Sequence, residues 1–205
     1  IHPNMDGHKR MAEQLARTIS GQQLSLGNVK PLQPPNQRTL DRIKEGKPVR
    51  VLAMPPFDSL IEPALRKVAP NARLEITSWP TDGLPLAKIE AEAKSKVRST
   101  KQDLVLLAVP RSATADSREA FASSYGWVMN WSLNFGPPTW DVVVIHPDVH
   151  QPAADQESQD DLVRQLVRAQ DLSLIDRPAG NTGKPEEILH KWLVEQAAAA
   201  ARNGR

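Results

Sequence analysis

The stretch Val49-Arg50-Val51-Leu52-Ala53-Met54-Pro55-Pro56-Phe57-Asp58-Ser59-Leu60-Ile61 decides the fold. Val49–Met54 is a short, almost continuous apolar run, too apolar to leave one face in water. Two prolines stop it. Leu60, Ile61, Ala64, Leu65 and Val68 then fall on one face at helical spacing. A strand buried on both faces that runs into an amphipathic helix is one β/α unit of a parallel sheet.

Outward from this unit the pattern repeats. Apolar runs recur at Leu74–Ser78, Leu104–Val109, Val142–His146 and Leu172–Asp176. Leu86–Val97, the face formed by Leu162, Val163, Leu166 and Val167, and Ile188–Ala200 fill the intervening and final slots with helical periodicity. Five such units in about 150 residues predict an α/β three-layer sandwich of flavodoxin type. Its five-stranded parallel sheet carries helices on both faces, joined by right-handed crossovers.

Upstream, Met11, Leu15 and Ile19, with Ala12 and Ala16 beside them, predict a helix over Met5–Ile19, with Asn4 or Asp6 as its N-cap. Ser20–Pro48 is rich in Gln, Asn, Gly and Pro and reads as an extended linker with a helical turn at Thr39–Glu45. The expected division is a helical segment 1–20, a linker 21–48 and an α/β domain 49–205.

Composition narrows the function classes. The 205 residues are 40% hydrophobic and 24% charged, with a net charge of +2 and no run of five like charges, so no nucleic-acid tail is indicated. The absence of Cys removes disulfides, thiol nucleophiles and thiolate metal sites together. No apolar stretch approaches the roughly 20 residues of a membrane span.

In a parallel sheet, ligands gather at the C-terminal strand ends. Those ends are followed here by Asp58 and Ser59, by Asp82 and Gly83, by Arg111 and Ser112, by His146, Asp148 and His150, and by Asp176 and Arg177. A Ser, a His and several Asp converging from different strands are what Ser-His-Asp catalysis needs, because the nucleophile requires a base in reach and an orienter behind it. The same residue types also serve as ordinary strand-end caps. His146, Asp148 and His150 lie two and four apart around Pro147, a spacing that is weak evidence for a metal site beside the plainer account of a polar strand end. His190, on the last helical stretch, reads as a surface or half-buried residue.

Of the chain's nine aromatics, five lie in Phe121–Phe135: Phe121, Tyr125, Trp127, Trp131 and Phe135, with Trp140 just beyond. Phe121, Tyr125 and Val128 share one helical face, and Trp127 and Trp131 share another at i, i+4. The first face packs on the sheet. The second either seals the end of the sandwich or meets a partner or a ligand such as a sugar.

Two motifs carry a resemblance. Phe57-Asp58-Ser59-Leu60 after a first strand resembles the Gly-Asp-Ser-Leu nucleophile block of the SGNH (GDSL-type) hydrolases, placing Ser59 on the nucleophile. His2-Pro3-Asn4 with Gly7-His8 and a helix resembles that family's last block, placing His2 on the catalytic His. The resemblance covers Val49 to about Gln196 as a fold, and implies that residues 1–20 are the tail of a preceding domain of the same kind. Within the second copy the family's pattern is broken. The Gly donor block reads Ser78-Trp79-Pro80-Thr81-Asp82-Gly83, and Pro80 has no N–H to give. Arg111 stands where the family has an Asn donor. The final block keeps Asp176 but has Ala179 in place of the His.

The resemblance implies a two-domain hydrolase of lipid or carbohydrate esters, such as acetyl esters, in a secreted or periplasmic bacterial setting and without cofactor. The present domain is then a degenerate copy with a structural, substrate-positioning or binding role, partnered by the preceding catalytic domain. An alternative set keeps activity: Ser59 as nucleophile, His146 as base, Asp148 or Asp176 as orienter, and Arg111 as a charged oxyanion donor. A third reading is a carbohydrate- or protein-docking module.

Overall fold

The structure is a computed structural model and describes residues 4–29, 35–134 and 139–203. Its elements run α1 (Met5–Ser20), α2 (Gln37–Lys44), β1 (Val49–Ala53), α3 (Phe57–Val68), β2 (Leu74–Ser78), α4 (Leu86–Ser99), β3 (Leu104–Leu107), α5 (Arg118–Ser132), β4 (Asp141–Ile145), α6 (Pro147–His150), α7 (Glu157–Ala169), β5 (Ser173–Ile175) and α8 (Pro185–Asn203).

The five strands form one all-parallel sheet in the order β2-β1-β3-β4-β5, with Val51 opposite both Ile76 and Leu104, and Val105 opposite Val142. The five-stranded α/β architecture expected from the apolar runs is therefore present. β3 and β4 are buried along their whole length, which is why their sequences are near-continuous Leu, Val and Ile. β2 is an edge strand, and Glu75, Thr77 and Ser78 keep that edge polar. From β1 the chain steps one way to β2, then crosses back to β3 and onward. With right-handed crossovers this places α3 on one face and α4, α5 and α7 on the other. α8 pairs with α3, and α5 packs between α4 and α7. Phe57, Ile61, Leu86, Ile89, Tyr125 and Met129 are among the large side chains that fill the two interfaces, each contributing roughly 1.5–3 kcal/mol by burial.

The upstream segment makes a connection that the sequence pattern does not reveal. α2 has no capping side chain of its own. Asp141, at the start of β4, supplies the cap instead, accepting from Thr39 N (2.7 Å), Thr39 Oγ1 (2.7 Å) and Arg38 N (3.2 Å). Beside it, Asp103 has no exposed side-chain surface and receives Arg50 (2.9 and 3.0 Å), Arg42 (3.1 Å) and Arg38 (3.5 Å). The two carboxylates bind the helical turn expected at Thr39–Glu45 to the N-terminal edge of the sheet.

α1 behaves differently. None of its residues is buried, and Met11, Leu15 and Ile19 are exposed, Ile19 by 81%. It touches the domain through Asp6–Arg168, Met5 N to Asp171, and Asn4 to the Arg168 carbonyl. The slot closing the sheet beside α3 belongs to α8. Deleting residues 1–20 should therefore shift the thermal midpoint of the remaining domain by less than about 3 °C, since surface changes away from buried features rarely exceed ~0.5 kcal/mol. Differential scanning calorimetry of the two forms checks this, and a larger drop would show that α1 is part of the cooperative core.

Candidate functional site

The C-terminal strand ends gather most of the expected residues, in two separate groups. The larger lies over β3, β4 and β5. Arg111, just after β3, makes a two-pronged pair with Asp160 of α7 (2.7 and 2.9 Å) and lies 3.5 Å from Asp148. Its backbone N–H donates to Gln151 Oε1 (2.6 Å) and its Nε to the Gln151 carbonyl. Asp176 accepts from Arg164 Nε and Nη2 (2.7 and 3.2 Å) and from Arg177 N (2.8 Å). The Arg177 guanidinium donates to the carbonyls of Asp148, Val149, Asn181 and Gly183, stapling α6 to the loop before α8. These are charge-assisted bonds of short length, and together they bind the strand-end charges to one another.

His146 sits at the centre of this group with no exposed surface. Its Nδ1 accepts from Asp148 N (3.2 Å), which leaves Nε2 as the protonated nitrogen facing the Asp160 carbonyl at 3.1 Å. The partners thus assign the neutral Nε2–H tautomer. Burial pushes the His146 pKa below the ordinary imidazole value, and the Asp160 carbonyl and Asp176 only partly offset it. Asp176 Oδ1 lies 3.4 Å from Nδ1, so the expected His–Asp neighbourhood exists. The one lone pair with which the ring can accept a proton is already engaged by a backbone N–H.

Ser59 belongs to the other group, over β1 and β2. It is exposed, and its Oγ donates to the Pro56 carbonyl at 2.8 Å. Asp58 accepts from Ser59 N (2.9 Å) and from Ser78 Oγ (2.6 Å), so it ties the start of α3 to the end of β2. Among the described residues no hydrogen bond joins Ser59 to His146, Asp176 or Arg111. Gly83 occupies a turn with φ 72°, where Leu84 N donates to the Thr81 carbonyl. His2 and Phe135 lie outside the described residues.

His150 bridges the two groups. Its ring meets Phe57 edge-on at 5.5 Å, and both its nitrogens are buried without partners among the described residues, as is the hydroxyl of Thr81. Burial, and then the positive charge of Arg111, lower its pKa to about 4, against an opposing pull from Asp82. A cavity of about 290 Å³ lies between Thr114–Arg118 and Gln156–Leu162, and neither Ser59 nor His146 lines it. Among the described residues no group of three or more His, Asp or Glu is placed to hold a metal ion, and no helix is long and apolar enough to cross a membrane.

The sequence matches no protein-family model and no curated protein. Among solved structures, the crystal structure of an acetyl xylan esterase, AlAXEase, is similar at 14% identity and a TM-score of 0.47, over 76% of this chain and 85% of that one. Identity that low bears on neither substrate nor catalytic residues.

Sequence reasoning missed Asp160 and Arg164, the two α7 residues that lock Arg111 and Asp176. A signal existed. An arginine at the end of a fully buried strand needs a carboxylate, and Asp155–Asp161 is an acidic stretch with no other role assigned.

Proposed function

We propose that residues 49–205 form a noncatalytic SGNH-type esterase-like domain with a structural or binding role, within a two-domain hydrolase of lipid or carbohydrate esters. In this reading residues 1–20 close the preceding catalytic domain, with His2 as that domain's general base. The exposed apolar face of α1, built on Met11, Leu15 and Ile19, suits a helix made to cover a sheet other than the one described here.

The engagement of His146 carries the proposal. A serine hydrolase base needs a free lone pair within hydrogen-bond reach of the nucleophile. Nδ1 is occupied by Asp148 N, Nε2 faces a carbonyl, and Ser59 donates to Pro56 instead. Arg111, the candidate oxyanion donor, is neutralised by Asp160 and Asp148. Loss of a single oxyanion donor costs roughly 10²–10³ in rate, and here base and donors are lost together.

Purified protein is expected to hydrolyse p-nitrophenyl acetate no faster than the Ser59→Ala and His146→Ala variants. A substantial wild-type rate abolished in both variants would overturn the proposal in favour of an active Ser59–His146 esterase.

A further inference from the structure

A groove runs along the outer side of α5, between that helix and the end of α7, well apart from the strand ends. Ser123, Gly126, Trp127, Asn130, Gln170 and Asp171 are among its lining residues. Trp127 is 43% exposed, an unusual state for the largest apolar side chain. It is also held in place. Its ring stacks on Trp131 (5.4 Å between centroids, 28° between planes), and Lys94 Nζ sits 4.8 Å from the Trp131 ring centre. Fixing the indole beforehand removes an ordering cost from any binding event.

The polar groups around the indole are amides, a hydroxyl and the Asp171 carboxylate. Gln170 Nε2 donates to the Gly126 carbonyl (2.9 Å) and its Oε1 is buried, so this amide props the wall of the groove. Asn130 and Ser123 contribute a second amide and a hydroxyl. Asp171 accepts from Met5 N (2.6 Å), and among the described residues no Lys or Arg lines the groove. An anionic ligand or a lipid surface would call for basic side chains, which the described lining lacks. A flat apolar plate beside amide, hydroxyl and carboxylate groups matches a pyranose, which has an apolar C–H face and a rim of hydroxyls.

We propose that this groove binds neutral oligosaccharides, with Trp127 as the stacking platform and Asn130 and Ser123 as the hydroxyl-reading groups. The site lies on a different surface from the strand ends, so it stands whether or not the noncatalytic reading does.

The test is isothermal titration of the full chain with the soluble β-1,4-linked hexasaccharides of glucose, xylose, mannose and N-acetylglucosamine. At least one should bind saturably. Trp127→Ala should weaken that binding at least ~10-fold, as truncation of an aromatic anchor does. Trp127→Phe, which keeps an apolar ring, should recover part of the loss, and Trp192→Phe on α8 should change nothing. Near-ultraviolet circular dichroism verifies that each variant is folded. No binding by any of the four at about 5 mM, or undiminished binding by Trp127→Ala, overturns the proposal. So does a dimer, seen by sedimentation, that the same substitution dissolves, because the groove then receives a second copy of the chain. Ester turnover is measured on the same samples. A hydrolase that binds glycan refutes only the noncatalytic reading, and an inert protein that binds none refutes only this one.

Discussion

Replacing Asp103 with alanine is expected to lower the unfolding free energy by about 3 kcal/mol. The carboxylate has no exposed surface and answers three guanidiniums, from Arg38 and Arg42 on α2 and Arg50 on β1. Burial alone would raise its pKa. The Arg50 hydrogen bonds and the charges of Arg50 and Arg42 outweigh burial and hold it below the usual carboxylate range. Without it, three positive charges face one another at the sheet edge. Arg38 and Arg50 retain 43% and 34% side-chain exposure and recover some hydration, which sets the expectation at the lower end for a broken buried pair. Urea unfolding at pH 7 gives the value. A loss under about 1 kcal/mol would show that the arginines simply turn outward. Because the folded pKa is depressed, this contribution is complete above the unfolded value near 3.9 and fades only as pH falls through the folded one.

Between pH 7 and 4.5 a different group governs stability. His150 has a folded pKa of about 4 against an ordinary value of 6.5. A histidine with a lowered folded pKa contributes stability that is complete above 6.5 and is lost as pH falls toward the folded value, since the unfolded chain binds the proton first. At 1.36 kcal/mol per unit, acidification to pH 4.5 should cost about 2 kcal/mol from this residue. His146, buried and also lowered, adds to the slope in the same direction. His150→Leu should flatten the dependence by the His150 share while leaving the remainder. An unchanged slope between pH 7 and 4.5 in that variant would rule out the assignment.

The sheet was legible in the sequence because buried parallel strands must be apolar on both faces, and their runs could be located to within one or two residues. Val142–His146 was expected where Asp141–Ile145 pairs, and Leu104–Val109 where only Leu104–Leu107 does. In β3 the apolar residues Ala108 and Val109 continue past the last ladder bond into the buried turn, and in β4 the polar Asp141 pairs although its type does not suggest a strand. Side-chain partnership was far less legible. Asp141 looks like a polar residue opening a strand, yet it caps a helix 102 residues earlier. Asp160 looks like a helix-start acid, yet it anchors Arg111 across 49 residues. Period and propensity report what a residue's own segment needs, and carry nothing about which distant charge it will meet. The Ser59–His146 set suffered from the same limit. Strand order places both on one edge, and only the local bonds of each reveal that they are engaged separately.

The cap that Asp141 lends to α2 also sets an order of events on the ribosome. α2 is synthesised first but its donors remain open until β4 emerges, 102 residues later. At roughly 5–20 residues per second that interval is about 5–20 s, during which a segment too short to hold helical form alone waits for its acceptor. The helix and the strand that caps it are thereby completed as one event, late in translation, and a chain stalled before residue 141 holds its basic arm through the Asp103 carboxylate alone.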